Sequence, residues 1–185
     1  MLNAPLDTLY LRTWMNNGNI LFLEYPYFEM IFNAMDKSER QHVIEIISEY
    51  FDLKYLDKYE YMYNKGCDLS FIDKDGNSML SKIEGNVDYS YDICKKAIDL
   101  FVKAGCDVNH RDKYGNTPII SSAKNYKTNA NCITILLEYG ADPNAENLDG
   151  FTALHQCRNI YNLKILIDNG AAPNKKSKKW SYTTL

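Results

Sequence analysis

Histidines, cysteines and paired carboxylates are the residues of this 185-residue chain that could do chemistry, and there are few candidates. Three histidines and five cysteines supply the bases, nucleophiles and soft-metal ligands. The spacing Cys106-x-x-x-His110 is similar to half of a zinc site, but no second pair follows to complete four ligands. His42 lies on a predicted helix beside Glu39 and Glu45, and His110 begins a turn, so we expect both to be solvated. These residues predict no metal site.

The acidic residues nearest to a recurring glycine have the spacing of turns rather than of a catalytic pair. They are Asp73, Asp75 and Asp112. An Asp or Asn residue three places before a glycine builds a turn through its side-chain oxygen. The sequence also lacks a glycine-rich phosphate loop, a His-Glu-x-x-His helix and a Gly-x-Ser-x-Gly elbow. It therefore predicts a protein that is not an enzyme and has no cofactor.

The cysteine pattern is typical of a reducing compartment. An odd number of cysteines argues against a disulfide framework. Cys67 and Cys106 each follow a glycine at a position that Ala141 and Ala171 hold later in the chain, so we expect small buried side chains there. The other cysteines fall in predicted helices without a Cys-x-x-Cys spacing: Cys94, Cys132 and Cys157. We predict a cytoplasmic location.

The charge balance argues against a general nucleic-acid-binding role. A net charge of −3 is too small and of the wrong sign, although four lysines and no acid lie in the last eleven residues. No apolar run reaches the ~18 residues that a membrane-spanning helix needs. We expect neither nucleic acid nor a membrane as the partner.

Two short patterns recur along the chain and predict how its elements are arranged. In the first, an apolar triplet precedes a glycine by three to five residues, and a small residue follows the glycine, which predicts a helix that ends in a left-handed residue. In the second, Asp or Asn stands three residues before a glycine and Thr or Ser two residues after it, which predicts a turn followed by a capped helix. Pro118 falls in the first turn of such a helix, where proline is tolerated. The glycines of the first pattern are Gly66, Gly105, Gly140 and Gly170, and the second pattern occupies 73–80, 112–119 and 147–155.

These two patterns together resemble the ankyrin repeat, whose motif D-x-x-G-x-T-P-L-H is followed by L-L-x-x-G-A-D-x-N. The segments 112–144 and 147–174 match this motif best. The resemblance implies an all-α solenoid of helix-turn-helix units joined by hairpin loops, with an N-terminal helical cap. It also implies that His155, at the histidine position of the motif, links neighbouring units by hydrogen bonds.

The spacing of the motif predicts the boundaries of the units. The interval from Asp73 to Asp112 exceeds the usual period of about 33 residues, so we expect an enlarged loop at 84–88. The interval after Asn147 is short, so we expect trimmed helices around 153–168. The predicted divisions are a helical cap at 1–35, a degenerate unit at 36–71, a unit with a loop insertion at 72–110, a unit at 111–145, a short unit at 146–175 and the start of a fifth, incomplete unit at 176–185.

The first sixty residues lack the markers of the repeat and are predicted to be helical. Helices are expected over Leu6–Met15 and Tyr27–Met35, and Ser38 is expected to cap the next helix, whose apolar face includes Val43 and Ile47. We expect the cap to cover the apolar face of the first unit. The alternative is a separate binding element, whose acidic excess would favour a basic partner.

The resemblance places the partner on a concave face made by the turns and the first helices. Polar residues are expected on solvated turns, but the later turns carry large apolar or aromatic side chains, which dominate interface energies. We predict partner contacts at Lys113, Tyr114, Asn116, Leu148, Asp149, Phe151, Lys179, Trp180 and Tyr182. The nearby lysines would steer an acidic partner toward this surface.

The sequence therefore predicts a non-catalytic module that binds a protein partner and inhibits or sequesters it. We expect an immunity (antitoxin) protein, because no room follows the repeats for the F-box-like helical domain of many poxviral relatives. One alternative is a viral or intracellular-bacterial host-interaction protein, located in the host cytosol. Another is a structural adaptor that assembles into a homo-oligomer through 176–185.

Overall fold

The computed structural model describes Leu23 and residues 28–83, 89–124 and 130–178. The predicted helix at 6–15, the predicted loop at 84–88 and the residues 179–185 lie outside these ranges. The chain divides into two compact units, Met1–Leu69 and Ser70–Leu185. The described secondary structure is helical, which confirms the all-α prediction.

The described part of the first unit contains three α-helices. They are α1 (Phe28–Ala34), α2 (Lys37–Glu49) and α3 (Leu56–Asn64), with a 3-10 turn at Leu53–Tyr55. Asp36 caps α2: its Oδ1 accepts from the N–H of Glu39 at 2.8 Å, and Glu39 Oε2 accepts from the N–H of Asp36 at 3.0 Å. The prediction that Ser38 is the cap was wrong, because Ser38 lies inside the first turn of the helix.

The core of the first unit is aromatic and aliphatic. The rings of Phe28 and Phe32 stack with centroids 5.4 Å apart, and Tyr61 from α3 packs edge-on against Phe32 at 6.1 Å. Val43 and Ile47 are buried on one face of α2, as its periodicity predicts. The ring contacts join α1 to α3.

The second unit contains paired helices that stack in two layers. Its elements are a 3-10 turn at Leu80–Lys82, α4 (Tyr91–Lys103), α5 (Pro118–Lys124), α6 (Ala130–Glu138), α7 (Ala153–Gln156) and α8 (Ile160–Asp168). Helix α4 packs on α6 and α6 packs on α8, while α5 packs on α7. This repeated pairing is the arrangement of a solenoid.

The first helix of the last pair is short, as the spacing predicts. Helix α7 has four residues and α8 has nine. The Oδ1 of Asn159 accepts from the N–H of Tyr161 at 2.8 Å, so Asn159 caps α8. Since only two residues separate the end of α7 from this cap, α7 has no room for another turn.

The glycines of the first pattern end their helices in the left-handed region. The φ angles of Gly66, Gly105, Gly140 and Gly170 are 80°, 99°, 84° and 88°. A residue with a Cβ is strained there, whereas glycine is not. The helix ends predicted from the sequence are therefore confirmed.

Asparagine side chains bridge consecutive units of the stack. Asn109 Nδ2 donates to the carbonyl of Gly140 at 3.1 Å, and its Oδ1 accepts from the N–H of Asp142 at 2.9 Å. Asn144 makes the same pair of bonds one unit later, with Gly170 at 2.8 Å and Ala172 at 2.8 Å. Each side-chain amide thus forms hydrogen bonds with one backbone carbonyl and one backbone N–H group that have no partner within the helix or the turn that follows it.

Candidate partner-binding turns

Three turns of the second unit share one hydrogen-bond frame. In the turn 112–116, Asp112 Oδ1 accepts from the N–H groups of Tyr114 at 2.8 Å and Asn116 at 2.7 Å. Asp73 and Asn147 hold the turns 73–77 and 147–151 in the same way. These side chains are therefore turn formers, as their spacing predicts.

The carboxylate of Asp73 is also paired with a cation. Lys82 Nζ lies 2.6 Å from Asp73 Oδ2, and both side chains are largely buried. Burial by itself would raise the pKa of Asp73, but the Lys82 ammonium and the amide donors of Asn77 outweigh it and lower the pKa to about 2. The first turn is thus held by an ion pair as well as by its backbone hydrogen bonds.

Successive turns are joined by backbone hydrogen bonds. The N–H of Leu148 donates to the carbonyl of Tyr114 at 3.0 Å, and the N–H of Lys178 donates to the carbonyl of Asp149 at 3.2 Å. The approach is close enough to exclude a side chain at the glycines. A Cβ on Gly150 would lie 2.5 Å from the N atom of Lys178. The turns therefore form a continuous row with fixed spacing.

His110 takes part in this row, which the sequence analysis did not predict. Its Nε2 lies 2.9 Å from the carbonyl oxygen of Gly76, in the preceding turn, and the contact is partly buried. The expectation that His110 is solvated was wrong. His110 lies two residues before Asp112, and the stacking of the turns places its imidazole against the preceding turn. The sequence alone does not show that these two turns are neighbours.

Tyr114 and Leu148 are the large apolar side chains that the row presents to solvent. Tyr114 is 60% exposed and Leu148 is 72% exposed. The ammonium of Lys113 lies 5.2 Å from the centre of the Tyr114 ring and pairs with the Asp75 carboxylate of the previous turn. Because Tyr114 and Leu148 are joined through their backbones, they form one patch, which we call the Tyr114–Leu148 patch.

Two other residues predicted to contact the partner have side chains that pack or form hydrogen bonds within the protein. Asn116 is buried: its amide donates to Asp112 Oδ2 at 2.9 Å and its Oδ1 accepts from Asn147 Nδ2 at 2.9 Å. Phe151 is half-buried, with its ring centre 5.8 Å from that of His155. Asn116 therefore presents no side chain to a partner, and Phe151 presents part of one.

The remaining predicted contacts divide into one exposed residue and three that lie outside the described residues. Asp149 is exposed in the turn 147–151. Lys179, Trp180 and Tyr182 lie beyond residue 178, where the described residues end. The structure therefore brings Lys113, Tyr114, Leu148 and Asp149 together on two adjacent turns.

The lysines near the last turn are partly neutralised. Lys175 Nζ lies 2.9 Å from a carboxylate oxygen of Glu146, and Lys178 Nζ lies 3.8 Å from the other. The hydrogen bond from Lys175 lowers the pKa of Glu146 below its ordinary value. The positive charge expected to steer an acidic partner is therefore reduced, most of all at Lys175, whose ammonium lies closest to Glu146.

His155 forms hydrogen bonds with Thr152, the residue that caps its own helix. Its Nδ1 lies 2.9 Å from Thr152 Oγ1 and accepts from the N–H of Thr152 at 3.2 Å. Burial lowers its pKa, so the ring is neutral at pH 7. Ile120 stands at the equivalent position of the preceding unit, and Thr117 Oγ1 is buried there without a hydrogen-bond partner among the described residues. The hydroxyl cap predicted at Thr117 is therefore absent from the described structure.

The described residues contain no cluster of metal ligands. Over Leu23 and the ranges 28–83, 89–124 and 130–178, no group of three or more His, Cys, Asp or Glu side chains could hold a metal ion. Cys106 is buried and His110 is engaged with Gly76. In the same ranges, no helix is long and apolar enough to cross a membrane.

A second exposed apolar pair, which the sequence analysis missed, lies at the start of α8. Ile160 is 76% exposed and Tyr161 is 73% exposed. They directly follow the capping residue Asn159, in the first turn of α8.

Comparison with known families agrees with this architecture. A family model for ankyrin repeats in three copies matches residues 51–147 and 86–177. The chain belongs to the ankyrin repeat family. Repeats of this family are protein–protein interaction modules and are generally non-catalytic.

The related proteins include several from viruses. The chain is 38% identical to a putative ankyrin repeat protein of fowlpox virus over 80 residues, which cover 42% of this chain and 12% of the relative. It is 36% identical to an ankyrin repeat protein of variola virus over 84 residues, which cover 44% of this chain and 15% of the relative. It is 38% identical to a putative ankyrin repeat protein of Acanthamoeba polyphaga mimivirus over 82 residues, covering 41% of this chain and 51% of the relative. The chain thus spans about half or less of these relatives.

Proposed function

We propose that this ankyrin repeat protein binds a protein partner through the Tyr114–Leu148 patch and sequesters or inhibits that partner. The observation that carries the proposal is the exposure of two large apolar side chains on adjacent turns whose backbones are bonded to each other. Neither side chain fills the core, so the fold does not require an apolar residue at either position. Exposed apolar groups of this kind are typical of interaction sites.

The turn frame gives this surface a further property that favours binding. Asp112 and Asn147 hold their turns through two backbone bonds each, so little backbone freedom is lost when a partner docks. Binding to a preformed surface avoids much of the entropy cost of ordering a loop. A rigid row of turns is therefore suited to tight capture of a folded partner.

The chemistry of the patch defines the partner's side of the interface. An aromatic ring and an aliphatic side chain require an apolar recess, while Lys113 and Asp149 at the edges require polar groups of both signs. Because Lys113 already pairs with Asp75, charge steering is weak and apolar burial supplies most of the affinity. We expect the partner to present a small apolar pocket with a mixed polar rim.

The viral relatives support a host-interaction form of this proposal over the immunity form. The names of the fowlpox, variola and mimivirus relatives describe them as ankyrin repeat proteins. On this proposal the partner is a host protein in the cytosol of an infected cell, and the chain acts by occupying that protein's binding surface.

The test uses the full chain as bait in a lysate of eukaryotic cells. The wild type is compared with Tyr114→Asp/Leu148→Asp and with the matched control Ile160→Asp/Tyr161→Asp, which changes two apolar side chains of similar exposure at the start of α8. Circular dichroism checks that all three are folded. We expect one protein to be retained by the wild type and the control and lost with the Tyr114 and Leu148 substitutions.

The captured protein is then purified and its Kd measured. Truncation of Tyr114 or Leu148 to alanine should weaken binding by about 2 kcal/mol, which is about 30-fold in Kd. Equal retention by all three baits would overturn the proposed site. A sedimentation coefficient that rises with concentration, with no captured protein, would favour the self-assembling adaptor in its place.

A further inference from the structure

Two buried cysteines from consecutive units meet in the layer formed by the second helices. Cys94 lies on α4 and Cys132 on α6, and their Sγ atoms are 3.1 Å apart. Their side chains are 0% and 1% exposed. The thiol of Cys132 donates a hydrogen bond to the sulfur of Cys94. No sequence pattern pairs them, because 37 residues separate them and neither belongs to a Cys-x-x-Cys motif.

We propose that Cys94 and Cys132 are a peroxide-sensitive dithiol that closes to an intramolecular disulfide and thereby links α4 to α6. A disulfide has a sulfur–sulfur distance of about 2.05 Å, so the two atoms must approach by about 1 Å. Side-chain rotation and a small adjustment between the packed helices can supply a movement of this size.

The reaction with hydrogen peroxide proceeds in two balanced steps. The Cys94 thiolate attacks one peroxide oxygen, the O–O bond breaks, and the departing hydroxide takes a proton to become water, which leaves a sulfenic acid on Cys94. The Cys132 sulfur then attacks the Cys94 sulfur, the S–O bond breaks, and the hydroxyl leaves as water with the Cys132 proton. Two thiols thus lose two electrons and two protons, and one peroxide becomes two waters.

The environment of the pair assigns the roles of the two sulfurs. The hydrogen bond from Cys132 lowers the pKa of Cys94, and the same contact, together with burial, raises the pKa of Cys132. Cys94 is therefore the sulfur that reacts with the oxidant, and Cys132 is the resolving thiol. Cys157 is a cysteine whose pKa is raised by burial. The lowered pKa of Cys94 therefore comes from its contact with Cys132 and not from burial.

Burial also determines which oxidant suits the site. Since neither sulfur is exposed, a bulky disulfide such as oxidised glutathione reaches Cys94 only after local opening of the helices, whereas hydrogen peroxide is small and uncharged. The bond would join the units 72–110 and 111–145 behind the turn that carries Tyr114. It would stabilise the stack by restricting the unfolded chain.

The experiment treats the folded wild-type chain with hydrogen peroxide, blocks the remaining thiols and measures the intact mass and the peptide map. We expect a loss of about 2 Da before blocking, a cross-linked pair of peptides containing Cys94 and Cys132, and reversal by dithiothreitol. The oxidised protein should melt roughly 10 °C above the reduced protein. Addition of one or more oxygen atoms to Cys94 without a cross-link would overturn the proposal, and so would a cross-link between two chains.

Two sets of variants separate the pair from the other cysteines. Cys67→Ala/Cys106→Ala/Cys157→Ser retains the pair, with alanine at the first two sites as in Ala141 and Ala171, and we expect it to lose two thiols and gain thermal stability as the wild type does. Adding Cys132→Ser to this background should trap Cys94 as a sulfenic acid and abolish the melting shift. If that last variant keeps the full shift, the disulfide is not its cause and the proposal fails.

Discussion

The backbone N–H of Leu148 donates to the carbonyl oxygen of Tyr114 at 3.0 Å, and this bond joins two turns through residues that are 34 positions apart in the sequence. This bond brings two exposed side chains, neither of which fills the core, into one patch. A row of turns with fixed spacing can thus combine contributions from separate units into one binding surface, which no single unit provides.

The apolar side chains of this patch should contribute little to folding. We expect Tyr114→Ala and Leu148→Ala each to change the free energy of unfolding by no more than about 0.5–1 kcal/mol, because both side chains are exposed. Urea unfolding followed by circular dichroism measures this. A buried comparison is Leu154→Ala, which should cost about 2–5 kcal/mol. Losses at Tyr114 and Leu148 as large as at Leu154 would assign them a structural role.

The close approach of the turns should make Gly150 far less replaceable than Gly140. Both have positive φ angles, 79° and 84°. A Cβ on Gly150 would meet the backbone N atom of Lys178 at 2.5 Å, whereas nothing lies within 4 Å of one on Gly140. We expect Gly140→Ala to cost about 1 kcal/mol and Gly150→Ala more than about 2 kcal/mol. Similar urea midpoints for the two variants would contradict the packing of this row.

The threonines at the equivalent positions of two units should respond oppositely to valine. Thr152 bonds to His155, so Thr152→Val should lower the free energy of unfolding by about 1 kcal/mol. Thr117 Oγ1 is buried without a partner among the described residues, so Thr117→Val should be neutral or stabilising by up to about 1 kcal/mol. Thermal unfolding of both variants beside the wild type gives the sign. A loss at Thr117 equal to that at Thr152 would indicate a hydrogen bond to the Thr117 hydroxyl.

The ion pair of Asp73 with Lys82 should make stability depend on pH in the acid range. The pKa of Asp73 is about 2, below the value of about 3.9 in an unfolded chain, so the folded state favours the ionised form. This contribution is present above pH ~4 and is lost as the pH falls toward 2. We expect about 1–2 kcal/mol at pH 7.

Asp73→Asn is the variant that isolates this pair, since Asn147 forms the same turn with an amide. The difference in free energy of unfolding between wild type and Asp73→Asn should shrink between pH 4 and pH 2. A matched control is Asp107→Asn, because Asp107 is an exposed acid that also accepts a local backbone bond. An unchanged difference across this range would mean that Lys82 does not hold the carboxylate.

Much of the fold could be predicted because its main determinants are local. Gly105 and Gly140 end helices, and Asp112 and Asn147 build turns, through bonds to residues at most four or five positions away. Such preferences follow from the backbone and need no knowledge of neighbouring units. The cap of α2 shows the limit of this reasoning, because Asp36 and Ser38 are both acceptable caps and only the path of the chain selects Asp36.

The candidate site was predicted less completely, since exposure depends on what stacks against each turn. Tyr114 and Leu148 are exposed as expected, whereas Asn116 is buried because Asn147 of the next turn donates to it. His110 contacts Gly76 of the previous turn, although nothing beside it in the sequence indicates a partner. The predicted contacts at Lys179, Trp180 and Tyr182 lie outside the described residues and stay predictions.

By itself, the sequence determined the repeating unit, the helix ends and the turns, because these depend on short-range bonds and on the left-handed backbone that glycine adopts. Only the tertiary structure decided that Cys94 faces Cys132, that Asn116 is closed to solvent, and that Tyr114 adjoins Leu148. Each of these relationships joins residues more than thirty positions apart. They arise when one unit stacks on the next, and the register of that stacking is set by the whole buried surface rather than by any local pattern.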